Sequence, residues 1–438
     1  MKDHVIIIGG GLAGCEAAWQ LLRRETAVTL YEMKPGKYSP AHRSPLLAEL
    51  VCSNSLRSNT VEDAPGLLKE ELRLLGSLIM KAADENTVPA GKALAVDRLL
   101  FSEAVENKLA AMEGLNIARQ EGKEIPGDSW TIIASGPLTS DSLSAGLEAL
   151  LGRGHLSFYD AISPIVDAGS IDHGKVFRAS RYGRGSADYL NCPLDREQYE
   201  NFWNAVRGAR ETPLLDFEDP KFFESCLPIE VMAARGRDTL LHGPMKPVGL
   251  VDPATGRQPY AVVQLRPENR EMTFYNMVGF QTKLARPEQE RVLRMIPGLE
   301  KAEFLRYGSI HRNTFVNAPA VLLDTLQIKG QPKVLLAGQI TGVEGYVEST
   351  AMGLLAGINI SFLVHGRVPP RPPRETALGS LVEYLVSADP ARFQPMNVNF
   401  GLLPPLPGKV PRRLRGQARA DRALAAIREW AALIGPGK

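Results

Sequence analysis

"HVIIIGGGLAGCEAAWQLLRRETAVTLYEM", residues 4–33, decides the fold class of this chain. Val5 to Ile8 form an unbroken apolar, β-branched run, as a strand covered on both faces requires. Gly9, Gly11 and Gly14 follow as GxGxxG, then a helical stretch to Arg24, then a second strand from Ala27 to Tyr31 that ends at Glu32. Each piece has its own role. Gly9 permits the tight turn, Gly11 lets a pyrophosphate approach the backbone, and Gly14 lets the helix close on the strand. Gly10, Leu12 and Ala13 belong to the same turn and helix N-terminus, where free N–H groups and partial positive charge favour an anion by about 0.3–1 kcal/mol. Glu32 lies 18 residues past Gly14, where an acid holds both ribose hydroxyls and turns away a 2′-phosphate. The stretch predicts a site for FAD or NAD. Cys15, inside the helix, reads as a small packing residue.

The far end of the chain chooses between the two cofactors. "KVLLAGQITGVEGYVESTAMGLLAGINISFLV" (333–364) is again a strand, a turn rich in glycine (Gly338, Gly342, Gly345) and an apolar helix. In flavoproteins of the glutathione-reductase type such a late segment returns to the first sheet and aims its helix at the flavin. "TIIASGPLTS" (131–140) is a third strand-like piece, ending in Gly136-Pro137, suited to backbone lying along a cofactor. The expectation is an α/β protein: a Rossmann-like FAD-binding domain of the glutathione-reductase type, with an inserted α+β domain. Its first part spans residues 1–185, the insert 186–324, and its second part, with a basic tail, 325–438.

Within the insert, "LDREQYENFWNAVRGA" (194–209) reads as a helix starting near Asp195. "GRQPYAVVQLRP" and "EMTFYNMVGFQTKL" alternate apolar and polar residues as antiparallel strands do. "VPPRPPR" (368–374) is an extended connector. The net charge is only +2, so any nucleic-acid surface must be local. The tail offers one in Arg412, Arg413, Arg415 and Arg419, although a basic helix is as often a solvated face. "RASRYGRGSADY" (178–189) offers another. The four cysteines, Cys15, Cys52, Cys192 and Cys226, form no CxxC pair, which argues against a zinc site or a disulfide scaffold. No metal is expected. No apolar run nears the ~18 residues of a membrane span, and nothing resembles a signal peptide, so the protein is expected to be cytoplasmic.

Two thiols stand out. Cys52 sits in "AELVCSNSLRSNT" (48–60), a polar stretch whose bland reading is a loop tied to its own backbone. Cys226 sits in "KFFESCLPIEVMAARG" among apolar residues, where packing is the usual role. Taken with "GGGLAGCEAAWQL", "PAHRSPLLAELVCSNSLRS", "RYGRGSADYLNCPL", "HGPMKPVGLVDPATGRQPYAVVQLR", "NMVGFQTKL", "YGSIHRNTFVNAP" and "AGQITGVEGYVES", they give a pattern over most of the chain. It resembles the folate- and FAD-dependent tRNA (uracil-5-)-methyltransferases, the TrmFO family, relatives of the GidA/MnmG flavoproteins.

That resemblance implies a reaction. Methylenetetrahydrofolate passes a one-carbon unit to reduced FAD, a cysteine adds to uracil C6, C5 takes the carbon, and the flavin reduces it to methyl. NADH or NADPH re-reduces the flavin. The implied target is uridine 54 in the T-arm of tRNA, and the implied state a monomer or weak dimer. Cys226 resembles the uracil nucleophile and Cys52 the second catalytic cysteine, beside the flavin. His311 would stack on the pterin, with Arg312 and Asn313 beside it and Lys246 and Arg266 as carboxylate partners; the bland reading of His311 is a bonded core residue. The rivals are a ribosomal RNA target, GidA-like modification of the wobble uridine, and a flavin oxidoreductase without RNA.

Overall fold

In the computed structural model, which describes residues 4–152, 155–183, 187–212, 227–269 and 271–435, the apolar run His4–Ile8 is a central strand of a six-stranded sheet. The order across it is Gln327–Ile328, Gln331–Leu336, Trp130–Ile133, His4–Ile8, Ala27–Tyr31, Leu115–Ala118. Every neighbouring pair is parallel except the outermost, 327–328 with 331–336. The chain leaves His4–Ile8 toward 27–31 on one side and reaches 130–133 and 331–336 on the other. A crevice opens beyond the carboxyl ends of the strands at such a reversal, and ligands bind there.

Two helices close over the sheet. Leu12–Leu22 crosses Tyr346–Leu363 backbone to backbone, through small residues four apart on each. A Cβ on Gly353 would lie 2.2 Å from the Ala13 carbonyl oxygen, and one on Gly357 would lie 2.7 Å from that of Ala17. The contact fixes where both helices begin, and Leu12, Ala13 and Tyr346 line one cavity.

The second sheet is antiparallel throughout, in the order Phe177–Arg178, Leu190–Leu194, Ala261–Pro267, Phe274–Met277, Ile165–Asp167, Phe304–Arg306. Its strands begin ahead of residue 186. Strands 165–167 and 177–178 already belong to this sheet, because Ile165–Asp167 pairs with both 274–276 and 304–306. A ribbon of His155–Ile162 paired with Ser309–Val316 carries the chain in and out. Helix Arg196–Arg207 packs on the sheet through Tyr199, Phe202 and Val206, and Asp195 and Gln198 cap its start reciprocally.

The stretch read as a loop over 48–60 ends in a strand. Ser55–Ser58 pairs with Ala93–Val96, anchored by Leu56, which is fully buried. At the other end of the chain, helix Arg415–Ile434 packs so close to residue 62 that a Cβ on Gly416 would lie 2.5 Å from the Glu62 carbonyl oxygen. Its Trp430 indole N–H donates to the Pro370 carbonyl oxygen at 2.9 Å, tying down the proline-rich connector. Among the described residues, no helix is long and apolar enough to cross a membrane, and no cluster of His, Cys, Asp and Glu could hold a metal.

Candidate active site

At the strand reversal lies a cavity of about 1030 Å³. Gly9 to Ala13, Glu32, Gly136, Pro137, Gly338 and Tyr346 all line it. Glu32 is buried, its Oε2 accepting the Gly10 N–H at 3.2 Å and its Oε1 the Lys34 N–H at 2.9 Å. The glycines divide by role. A Cβ on Gly14 would lie 1.8 Å from the Gly9 carbonyl oxygen, and one on Gly9 would lie 2.5 Å from that of Ala134. A Cβ on Gly11 would meet nothing within 4 Å, so open space stands over the backbone where the turn meets the helix. That open cradle, at a helix N-terminus and beside a buried carboxylate, fits the pyrophosphate and ribose of a dinucleotide. Gly342 stands apart from the cradle. It lines neither this cavity nor the next, and a Cβ there would lie 2.4 Å from the Phe393 ring. Its φ of +91° explains the glycine by backbone and packing.

A second cavity, about 1260 Å³, shares Val51, Pro137, Leu138, Gln339 and Tyr346 with the first, so the two are one continuous cleft. Gly345 and Cys52 lie on it. Cys15 and Cys192 are fully buried, and burial pushes both thiols well up, as suits packing groups. Half-buried Cys52 is the described thiol that faces this cleft.

The Cys52 loop is fastened from three sides. The Tyr346 hydroxyl accepts the N–H groups of Cys52 and Ser53 at 2.7 and 3.1 Å. Burial pushes that phenol far above its ordinary range, so it stays protonated. From the second sheet, Arg266 donates to Ser53 Oγ at 2.7 Å and to Asn54 Oδ1 at 3.0 Å. From the helix Arg98–Ala110, Arg98 donates to the Leu50 and Cys52 carbonyl oxygens and pairs with Glu268 at 2.5 Å. Burial opposes the charge of Arg98, but Glu268 outweighs it and holds the guanidinium above its usual pKa. Sequence reading singled out neither Tyr346 nor Arg98, whose partners lie far away in the chain; Arg266 it assigned to a folate carboxylate.

Replacing Arg98 by Ala leaves Glu268, 5% exposed, buried without its counter-charge. We expect a loss of about 3 kcal/mol, read by denaturant unfolding, with Arg98→Met/Glu268→Gln recovering much of it. A single-variant loss below about 1 kcal/mol removes the pair from the forces that hold this loop.

The other expected residues divide. Cys226 lies outside the described residues. His311, Arg312 and Asn313 lie on the ribbon strand, in register with Asp160, Tyr159 and Phe158. The Thr314 N–H next to them donates to the Pro137 carbonyl oxygen at 2.8 Å, which brings that strand to the cleft wall. Lys246 is exposed and lines neither cavity. In the tail, Arg412 and Arg413 are exposed, Arg415 donates to the Val410 carbonyl oxygen, and Arg419 stacks on Phe400.

A GxGxxG turn at a strand reversal, with a late helix closing on a continuous cleft, defines the class. The family model described as "Glucose inhibited division protein A" matches residues 4–368. Two crystal forms of Aquifex aeolicus GidA superpose with TM-scores of 0.71, at 16% and 17% identity, over 99% of this chain and 74% and 76% of theirs. The fold is that of a GidA-like flavoprotein.

Nearer relatives narrow it. Proteins named methylenetetrahydrofolate–tRNA-(uracil-5-)-methyltransferase TrmFO match end to end. That of Syntrophus aciditrophicus is 60% identical, covering 98% of each chain; that of Geobacter sulfurreducens is 59% identical, covering 99% of this chain and all of its own. The chain belongs to the TrmFO family of folate-dependent tRNA (uracil-5-)-methyltransferases.

Proposed function

We propose that this chain methylates C5 of a tRNA uridine, uridine 54 of the T-loop, with methylenetetrahydrofolate as carbon donor, FAD as bound cofactor and NADH or NADPH as reductant. The observation that carries the reading is the position of Cys52, on a loop tied to Tyr346 where the dinucleotide cavity opens into a second one. FAD would be held in the glutathione-reductase manner: Glu32 at the ribose, Gly9 to Ala13 at the pyrophosphate, and Gly136, Pro137, Gly338 and Gly345 toward the ring end. A bound flavin supplies the electrons and the one-carbon carrier.

The chain's own residues do the rest. Uracil C5 is a poor nucleophile until a thiolate adds at C6, and Cys226 is assigned that addition. Leu227, the next residue, is buried, and the Ile229 N–H donates to the carbonyl oxygen of Gln281 at 2.8 Å. Gln281 lines the second cavity, so the described chain that follows Cys226 is bonded to that cavity's wall. When C5 has taken the carbon, a base removes its proton and the cysteine leaves, restoring the double bond. Cys52, which lines that cavity, is assigned to the one-carbon transfer step. The domain division follows the sheets: a cofactor domain from both chain ends and an inserted domain from 165 to about 306. Exposed Arg412 and Arg413 are offered to RNA phosphates. We place the enzyme with its tRNA in the cytoplasm, as a monomer or weak dimer.

The test is incubation of unmodified tRNA transcript with methylene-labelled folate and a nicotinamide reductant. Label in ribothymidine at position 54 is expected. Label at another base, or none, overturns the assignment.

A further inference from the structure

The second sheet turns a row of polar side chains away from its own core. Side chains alternate along a strand, so Val263, Leu265, Tyr275 and Met277 enter the core while Gln264, Arg266 and Asn276 take the other face. Asn191 stands opposite Gln264, and Arg266 opposite Asn276. Three of these four are engaged. Asn191 Nδ2 donates to the carbonyl oxygens of Phe177 and Ala179, Gln264 Nε2 donates to Asn191 Oδ1 at 2.9 Å, and Arg266 holds Ser53 and Asn54.

Asn276 breaks the pattern. It is 3% exposed, it lines the cavity that Cys52 lines, and its Nδ2 has no hydrogen-bond partner among the described residues. Buried amide groups are almost always bonded, and leaving one unpaired costs the full loss of its hydration. Val278, two residues on, lines the same cavity with an apolar side chain. A buried amide on a cavity wall, next to a cationic Arg266, is what a planar polar ring needs.

We propose that Asn276 is a substrate-binding residue that reads the lactam edge of a pyrimidinone ring, the side where a ring N–H adjoins a ring C=O. The carboxamide is complementary to that edge: its N–H₂ donates to the ring carbonyl and its oxygen accepts the ring N–H. Both co-substrates of the proposed reaction carry the edge, the uracil base and the pterin ring of folate. The source of the ring thus rests on that reading; the existence of the contact does not.

The test uses full-length protein loaded with FAD, as wild type, Asn276→Ala and the isosteric Asn276→Asp, which sets a carboxylate against the ring carbonyl. KM for methylenetetrahydrofolate and for tRNA transcript is measured, with equilibrium binding of tetrahydrofolate and of a uridine-containing T-arm RNA and a thermal melt. A rise of about tenfold in KM and Kd for one ligand is expected, at least as large for Asp as for Ala, with the melting midpoint within a few degrees of wild type. A rise for folate identifies the pterin; a rise for RNA identifies the uracil. Should wild type bind these ligands but transfer no label, the function fails while the binding arms still decide Asn276. The proposal is overturned if both constants stay within twofold, if only FAD retention suffers, or if both variants lose their cooperative melt, which makes Asn276 structural.

Discussion

Cys226→Ala is expected to lower methyl transfer by roughly 10³-fold or more, the scale on which enzymes suffer when a covalent nucleophile is removed. The flavin should remain bound, since no group assigned to hold it is touched. A thiol of ordinary pKa ~8.5 is only a few per cent thiolate at pH 7, yet enough to attack an activated ring, and alanine offers nothing in its place. RNA carrying 5-fluorouracil at the target checks this directly. Fluorine at C5 blocks the final proton abstraction, so the cysteine that adds to C6 stays attached and the complex survives denaturing electrophoresis. Wild type and Cys52→Ala should give the adduct, and Cys226→Ala should not. An adduct that persists in Cys226→Ala and vanishes in Cys52→Ala exchanges the two roles.

The division between Cys52 and Cys226 also marks how far the sequence could be read. The cofactor cradle was legible because it is local: strand, turn, helix and acid fall within residues 4–33, and each glycine's reason lies within a few residues or one strand away. The late segment was legible for the same reason. The grip on the Cys52 loop was not, since Tyr346 is 294 residues from Cys52 and Glu268 is 170 from Arg98. Such contacts leave no spacing to find. A tyrosine opening a helix after Gly345 was the one available signal. Nor were the partners of Arg266 legible, a cation read as a carboxylate partner that the fold sets on Ser53 and Asn54. The place of Ile165–Asp167 in the second sheet was not legible either, because it is only three residues long, too short to display alternation, and is set there by its partners.

Gly14→Ala should unfold or severely weaken the cofactor domain, whereas Gly11→Ala, three residues away, should not. The added methyl at 14 would lie 1.8 Å from the Gly9 carbonyl oxygen, so the helix Leu12–Leu22 would have to retreat from the strand. It has nowhere to go. On its other side Ala13 already meets the backbone of Gly353, so closely that a Cβ there would lie 2.2 Å from the Ala13 carbonyl oxygen. Gly9 cannot yield either, with φ at +110° and the backbone of Ala134 against it. Overpacking usually costs about 1–3 kcal/mol because neighbours shift, and a methyl driven into the Gly9 backbone, with helix and turn both held in place, belongs at or above the top of that range. At Gly11 the methyl meets only the open space of the cradle, so the apoprotein should keep wild-type stability within about 0.5 kcal/mol. What it should lose is flavin, because the methyl stands where the pyrophosphate approaches the backbone. Denaturant unfolding of the apoproteins and the ratio of flavin to protein absorbance separate the two effects. A Gly14→Ala protein as stable as wild type would mean that the two helices slide past each other freely, and a Gly11→Ala protein that holds its flavin unchanged would move the pyrophosphate out of this turn.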